Sequence, residues 1–280
     1  MRRSIYILGL SLLTLVACDE VSEGERLIYV PPVEGQRNII IEDFTGQRCV
    51  NCPSATLEIE RLQGIYGEES VIAVGIHSGP FGHRSTMTSA RLSLCTETGD
   101  EYYNHWGIEA QPGALINRSG GAVYDPAQYE QQVRTELEKS TPLQLEVRLS
   151  SDNGQRTTDN GQQAADGGAL TVDVTAMSSR ALEGKLQVWL LEDSITDIQM
   201  MPDGSTNRAY VHNHVFRASL TDDILGDNLA VTDQQASQTS YSFPLNPAWK
   251  VEHLSVVVFY YNDRDGILQA AKTKLTSDSF

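Results

Sequence analysis

Hydrophobic positions along the chain follow three successive patterns. Ile5 to Val16 is an almost unbroken apolar run. From Ile39 to Leu137, apolar residues come in short blocks separated by polar stretches. Ile39-Ile40-Ile41 predicts a buried strand, and Ala55, Ile59, Leu62 and Tyr66 recur at helical spacing. Val71 to Ile76 is a β-branched run that predicts a second buried, parallel strand. From Leu143 onward the pattern changes to strict alternation. Leu143, Leu145, Val147 and Leu149 are interleaved with Gln144, Glu146 and Arg148, and Leu170, Val172, Val174 and Ala176 repeat the pattern. Both read as half-buried strands.

Turn and cap residues sharpen these boundaries. Pro53 suits the first turn of a helix, and Gly67 stands where its C-terminal cap belongs. A polar segment, 79–103, interrupts the pattern, with helical stretches around Ser89 to Cys95 and Asp100 to Trp106. Gly107 to Asn117 reads as a loop entering a strand, with a short partner at Ala122-Val123-Tyr124. Asp125-Pro126-Ala127-Gln128 forms a capping box ahead of a closing helix marked by Tyr129, Val133 and Leu137. Ser140-Thr141-Pro142 is the expected boundary. Beyond it, Leu186–Leu191, Val211–Leu220, Tyr241–Leu245, Leu254–Tyr260 and Leu268–Leu275 supply further strands. Turn formers fall between them, including Asp152-Asn153-Gly154, Asp159-Asn160-Gly161, Asp166-Gly167-Gly168 and Asp265-Gly266. The predicted fold is an α/β domain over 37–140, with an insertion at 79–103, followed by an all-β domain of immunoglobulin-like sandwich architecture over 141–280.

The first apolar run is too short to cross a bilayer comfortably, follows Arg2 and Arg3, and ends in Leu15-Val16-Ala17-Cys18. This is the pattern of a bacterial lipoprotein signal over 1–17, with Cys18 receiving diacylglycerol and 18–36 acting as an acidic tether. The expected partner is a membrane, reached through that lipid. Formal charge is −16, and loss of 1–17 removes two arginines and takes it to −18. Such a chain repels nucleic acid and anionic headgroups, so nucleic-acid binding is excluded as a function class.

The chemistry concentrates in Asn38 to Ser54. A buried strand delivers Cys49-Val50-Asn51-Cys52 to a helix N-terminus, where free N–H groups and the helix dipole favour a thiolate. No second C-x-x-C or C-x-x-H completes four zinc ligands, so the motif reads as redox-type, with no metal and no cofactor expected. Exported chains meet an oxidising compartment, so Cys49 and Cys52 are expected as a disulfide. Cys95 is left odd, either buried and inert, the preferred reading, or a third thiol.

Strand, C-x-x-C helix, strand, insertion, strand, strand and helix, in that order, resemble the thioredoxin superfamily. The resemblance implies that Asp43 is a buried acid assisting proton transfer, Cys49 the attacking thiol, Cys52 the resolving thiol, and Pro112 a cis-proline beside the disulfide that helps bind extended substrate. Two features depart from the family: Arg48 stands where Trp is usual, and Val50-Asn51 separates the cysteines. An adjacent guanidinium favours the thiolate. The alternative is a disulfide that only staples the helix start.

Nearly the whole mature chain resembles the 28-kilodalton outer-membrane lipoprotein family of Bacteroides-type bacteria. The resemblance rests on IEDFTGQRCVNCP, on Thr98-Gly99-Asp100 ahead of Trp106-Gly107, and on Gln111-Pro112. It implies an outer-membrane, surface-displayed lipoprotein of binding, adhesion or receptor type, with a protein or glycan partner; the alternative, carried by the cysteine motif, is an envelope thiol-disulfide oxidoreductase using Cys49 and Cys52. Loops such as Thr196 to Tyr210 are candidate partner contacts. Three other features carry weaker signals. His212 and His214 lie two apart on an expected strand and so face one side, but no third metal ligand is visible. Asp263-Arg264-Asp265-Gly266 opens like a calcium loop but lacks the closing glutamate. Tyr260 and Tyr261, near Trp249, read as core before they read as a glycan-facing patch.

Overall fold

The protein is described from a computed structural model, which covers residues 35–84, 93–152 and 168–275. The expected lipoprotein signal, Cys18, the expected tether apart from Gly35 and Gln36, most of the Ser89–Cys95 stretch, and the turn triplets between Asn153 and Gly167 lie outside the described residues. Among those described, no helix is long and apolar enough to cross a membrane.

The elements in chain order are β1 (Gly35–Gln36), β2 (Ile39–Thr45), α1 (Cys52–Tyr66), β3 (Val71–His77), α2 (Glu97–His105), β4 (Gly113–Ile116), α3 (Tyr129–Leu137), β5 (Ser140–Thr141) and β6 (Leu143–Asp152). Then follow β7 (Ala169–Ser178), β8 (Leu182–Glu192), β9 (Ile195–Met200), β10 (Thr206–His212), β11 (Val215–Ser219), β12 (Asp227–Val231), β13 (Ser237–Pro244), β14 (Leu254–Asn262) and β15 (Gly266–Lys274). The fold is β-rich with few helices.

The largest sheet has eight strands, in the order β15-β14-β8-β11-β3-β2-β4, with β12 also on β8. Strands from both sides of Ser140–Pro142 therefore share one sheet. Pairing is parallel at β2–β3 and at β3–β11, and antiparallel elsewhere. Because side chains alternate across a strand, the sheet has two distinct faces. One carries a single cluster running its length, from Ile40, Phe44 and Ile72 to Trp189, Phe216, Val257 and Phe259, with Tyr102 of α2 packed on it. The other is covered twice. Ile39, Ile41 and Ala73 meet α1 and α3 through Ala55, Leu62 and Val133. Further along, Leu186, Val188, Val256 and Val258 meet Leu170, Val172 and Val174 of a three-stranded sheet, β13-β7-β6. The alternating strands foreseen from Leu143 and Leu170 are the two that build this second layer.

Local chemistry sets the boundaries. Gly67 ends α1 at φ +91°, and its N–H donates to the Gln63 carbonyl. Asp125 caps the short turn before α3 by accepting from the Ala127 N–H. Gly266 opens β15 at φ +68°, where the Asn117 carbonyl oxygen occupies the space a Cβ would need. Gly266→Ala is therefore expected to cost about 2 kcal/mol or more, read as a lowered urea midpoint, because both the backbone region and the close approach exclude a side chain.

Two expectations are corrected. Val211–Leu220 is not one strand: His214 sits at φ +56°, and the chain turns there from β10 into β11. His212 and His214 therefore do not share a strand face. Thr196 to Tyr210 is mostly strand rather than loop, because β9 and β10 pair as a hairpin whose exposed connection contains Pro202-Asp203-Gly204.

Candidate functional site

The alternation that buries Ile39 and Ile41 against α1 also turns Asp43 and Thr45 to that side. In β3 it does the same for Gly75 and His77, which pair in register with Asp43 and Thr45. After Thr45 the chain turns through Gly46, where a Cβ would collide with the Phe81 backbone. The Cys49 N–H donates back to the Gly46 carbonyl over 3.0 Å. Cys52 opens α1, and Pro53 follows it. The expected Cys49–Cys52 disulfide is formed, with Cα atoms 5.4 Å apart.

This disulfide is enclosed, with Cys49 3% and Cys52 1% exposed. On one side runs the segment from Gly79 to Arg84. The Arg48 N–H donates to the Phe81 carbonyl over 3.0 Å. Gln111 Nε2 donates to the carbonyls of Thr45 (2.8 Å) and Ser78 (3.1 Å). The Gln111–Pro112 bond is cis, and Pro112 is buried where the chain enters β4. On the other side lies the β9–β10 hairpin. Gln199 Nε2 donates to the Cys49 carbonyl over 2.9 Å, and the Met200 N–H donates to the Gln47 carbonyl over 2.8 Å.

Under the hairpin is a cavity of about 50 Å³ lined by Asp43, Cys52, Thr56, His77, Tyr210 and His212. Asp43 Oδ1 has no hydrogen-bond partner, and burial pushes its carboxyl up to about 7. His77 Nε2 lies 3.3 Å from His212 Nδ1, and His212 Nε2 lies 3.2 Å from the Ile198 carbonyl oxygen. Burial holds both rings below the usual imidazole range, and for His77 the neighbouring His212 adds to the shift. His77 Nδ1 is unpartnered. The structure thus brings Asp43 and Cys52 to one cavity, with Cys49 bonded to Cys52 and Pro112 buried at the entry to β4.

The other candidates fall elsewhere. Arg48 reaches His83, with Nη2 3.2 Å from Nδ1. Cys95 is a free, buried thiol, and burial raises its pKa. His214 pairs with Asp193 at 3.0 Å. Tyr260 and Tyr261 are buried in core clusters. Among the described residues, no cluster of three or more His, Cys, Asp or Glu side chains is placed to hold a metal ion.

Sequence reasoning missed Gln199 and His77, the partner of His212. One signal for them was readable: Pro202-Asp203-Gly204 is a turn former, and flanked by Ile195–Met200 and Thr206–His212 it spells a hairpin.

The family described as outer membrane protein Omp28 matches residues 99–279. The chain belongs to the Omp28 family. The match begins after the cysteine motif, so membership rests on α2, the cis-proline segment and the whole β-rich remainder. Among solved structures, HBP35 of Porphyromonas gingivalis superposes with a TM-score of 0.63 at 16% identity, over 86% of this chain and 76% of that one. At that identity the likeness is one of fold. A domain of the outer membrane lipoprotein Omp28 from the same organism gives a TM-score of 0.32 at 16% identity, over 49% of this chain and 89% of that one. No curated protein matches the chain.

Proposed function

We propose that this Omp28-family protein is a lipoprotein of the outer membrane, anchored through Cys18, that holds a protein or glycan partner at the cell envelope. In this reading its thioredoxin-like half is a scaffold and Cys49–Cys52 a staple at the start of α1. The observation that carries the reading is the cover over the disulfide. Segment 79–84 and the β9–β10 hairpin leave Cys49 3% exposed, so a partner thiol has no line of approach while the hairpin is docked. Family membership supports the address.

The test is access. At pH 7.5 a phosphine reductant is expected to open Cys49–Cys52 in the native protein roughly 100-fold more slowly than in a Cys-Val-Asn-Cys peptide disulfide, which corresponds to an opening cost of about 3 kcal/mol. Affinity capture from envelope extracts by the intact chain then supplies the partner. Equal reduction rates, with nothing captured, would defeat this reading.

One observation favours a second reading, thiol-disulfide exchange. Asp43 is a buried acid with a free carboxylate oxygen on the cavity that Cys52 lines, suitable for taking the proton that Cys52 must lose to resolve a mixed disulfide. Turnover of a mixed-disulfide substrate that vanishes in Cys49→Ser selects this reading.

A further inference from the structure

We propose that the β9–β10 hairpin is a hinged cover, latched by the contact between His77 and His212 and released by acid, that controls access to the Cys49–Cys52 disulfide and the cavity beneath it. The inference goes beyond the proposed function and holds whether or not the disulfide is exchanged in the cell.

The geometry of the hairpin suits it to move as a unit. β9 and β10 pair only with each other, forming a two-stranded sheet beside the eight-stranded one. Their roots are two turns with non-glycine residues in the left-handed region, Ser194 at φ +59° and His214 at φ +56°. The roots are tied together: the Ser194 N–H donates to Asn213 Oδ1 over 3.0 Å, and the His214 N–H donates to Asp193 Oδ1 over 2.6 Å. Chain reversals pinned in this way are pivots for the strands beyond them. Past the pivots, a few polar contacts hold the hairpin down. They are Gln199 to Cys49, Met200 to Gln47, Tyr210 to Thr56 and His212 to His77. The first two are amide–carbonyl bonds that acid does not alter.

The histidine contact is different. His212 Nε2 faces the Ile198 carbonyl, so it carries the proton and Nδ1 is an acceptor. His77 Nε2 must then donate to His212 Nδ1, which leaves His77 Nδ1 as a bare lone pair. This order requires His212 to be neutral, and a second proton on His77 would be a buried charge that the Gly75 backbone favours but burial, His212 and Arg217 oppose. The charged and titratable groups around the pair are Asp43 of β2, Glu60 of α1, Asp197 of β9, Tyr210 of β10, Arg217 of β11, and His214 with Asp193 at the pivot. Arg217 opposes a proton on His77. Asp197 favours one on His212, but burial acts first and in the opposite direction. Asp43 is itself neutral below about 7, so it offers no counter-charge at acid pH. The docked hairpin therefore takes up fewer protons than the released one, in which both rings titrate near their ordinary ~6.5. Its hold is complete above that value and is lost as pH falls below it. Asp43 works against this, because its raised pKa favours the docked form in acid; replacing it isolates the histidines.

The experiment measures reduction of Cys49–Cys52 by a phosphine at pH 7.5 and 5.5, each rate divided by that of a Cys-Val-Asn-Cys peptide disulfide at the same pH. In Asp43→Asn the normalised rate is expected to rise about tenfold or more on acidification, one factor of ten per pH unit below the imidazole value for each ring. In Asp43→Asn with both His77→Gln and His212→Gln, which keep neutral side chains there, it is expected to stay within about twofold. An equal rise in both variants, or no rise in the first, overturns the proposal. Ring resonances of the wild-type chain give a second readout that does not depend on the variants folding. Protonation of His77 or His212 is expected to coincide with loss of protection at the Gln199 side-chain amide. Protonation with that amide still protected overturns the proposal as well.

Discussion

Glu42→Gln lowers the unfolding midpoint by about 10 °C. Glu42 sits on the long-cluster face of β2, opposite Asp43, and its carboxylate receives Arg118 in a two-pronged contact, Nε to Oε1 at 2.6 Å and Nη2 to Oε2 at 3.2 Å. The side chains of Arg118 and Glu42 are 2% and 0% exposed. The guanidinium is also boxed by rings, with its carbon 4.7 Å from the Trp106 centroid, 4.8 Å from Phe259 and 4.5 Å from Tyr261. The rings' negative faces offset part of its desolvation, but Glu42 supplies the only full charge that is bonded to it among the described residues. Removing that charge leaves a cation dry, since no water can replace the carboxylate without opening the cluster. Breaking a buried pair in this way costs about 3–5 kcal/mol, and in a domain of this size each kcal/mol shifts the midpoint by about 2–4 °C. Calorimetry at pH 7 checks the shift. The double variant Glu42→Leu with Arg118→Met removes both charges and is expected to recover most of the loss. A double variant as unstable as the single one would show that packing, not charge, sets the cost.

This buried pair was not visible in the sequence, and the reason is physical. Arg118 draws its partners from β2, from Trp106 beyond α2 and from β14, far apart along the chain, so no local period marks it. Patterns carried by neighbours in sequence were legible. The runs Ile39–Ile41 and Val71–Ile76 are continuous because α1 and α3 cover one face of those strands and the long cluster the other. Leu143 to Leu149 alternates because β6 belongs to the second layer and has one face on the eight-stranded sheet. The site was legible to the same extent. Cys49 and Cys52 announce themselves by spacing, and Asp43 shares the strand that leads to them. The turn at Pro202-Asp203-Gly204 was readable, but the docking of the hairpin over the disulfide was not, because Val211–Leu220 reads as one strand. The break within it comes from a left-handed residue, His214, held by Asp193 at the other root of the hairpin, 21 residues earlier in the chain. A backbone state fixed from that distance leaves no periodic trace.

The converse of Glu42 is its neighbour. Asp43→Asn is expected to stabilise the protein at pH 8 by about 2–4 kcal/mol and to leave its stability at pH 4 nearly unchanged. Asp43 is buried, with one carboxylate oxygen unpartnered, and burial raises its pKa from an ordinary 3.8 to about 7. The folded state therefore binds a proton more tightly than the unfolded chain does. Below the unfolded value both states hold the proton and Asp43 costs nothing. As pH rises through about 7 the folded state must carry a dry anion, and three units of pKa correspond to about 4 kcal/mol as an upper limit. Urea unfolding at pH 4, 6 and 8 measures this: the variant's advantage should grow across that window, and parallel curves would refute the account. An asparagine of the same shape meets no such charge penalty, so packing cannot be what calls for an acid at this position. What an acid offers there, and an amide does not, is a proton exchangeable near neutral pH on a cavity lined by Cys52. The variant therefore also discriminates between the two functional readings. If Asp43→Asn gains stability and keeps the partner interaction intact, the disulfide is a staple over an acid with no task. If the same gain comes with slowed resolution of a Cys49 mixed disulfide, the stability lost to Asp43 is the cost of holding a proton acceptor next to sulfur, as strained or desolvated groups are held at working sites.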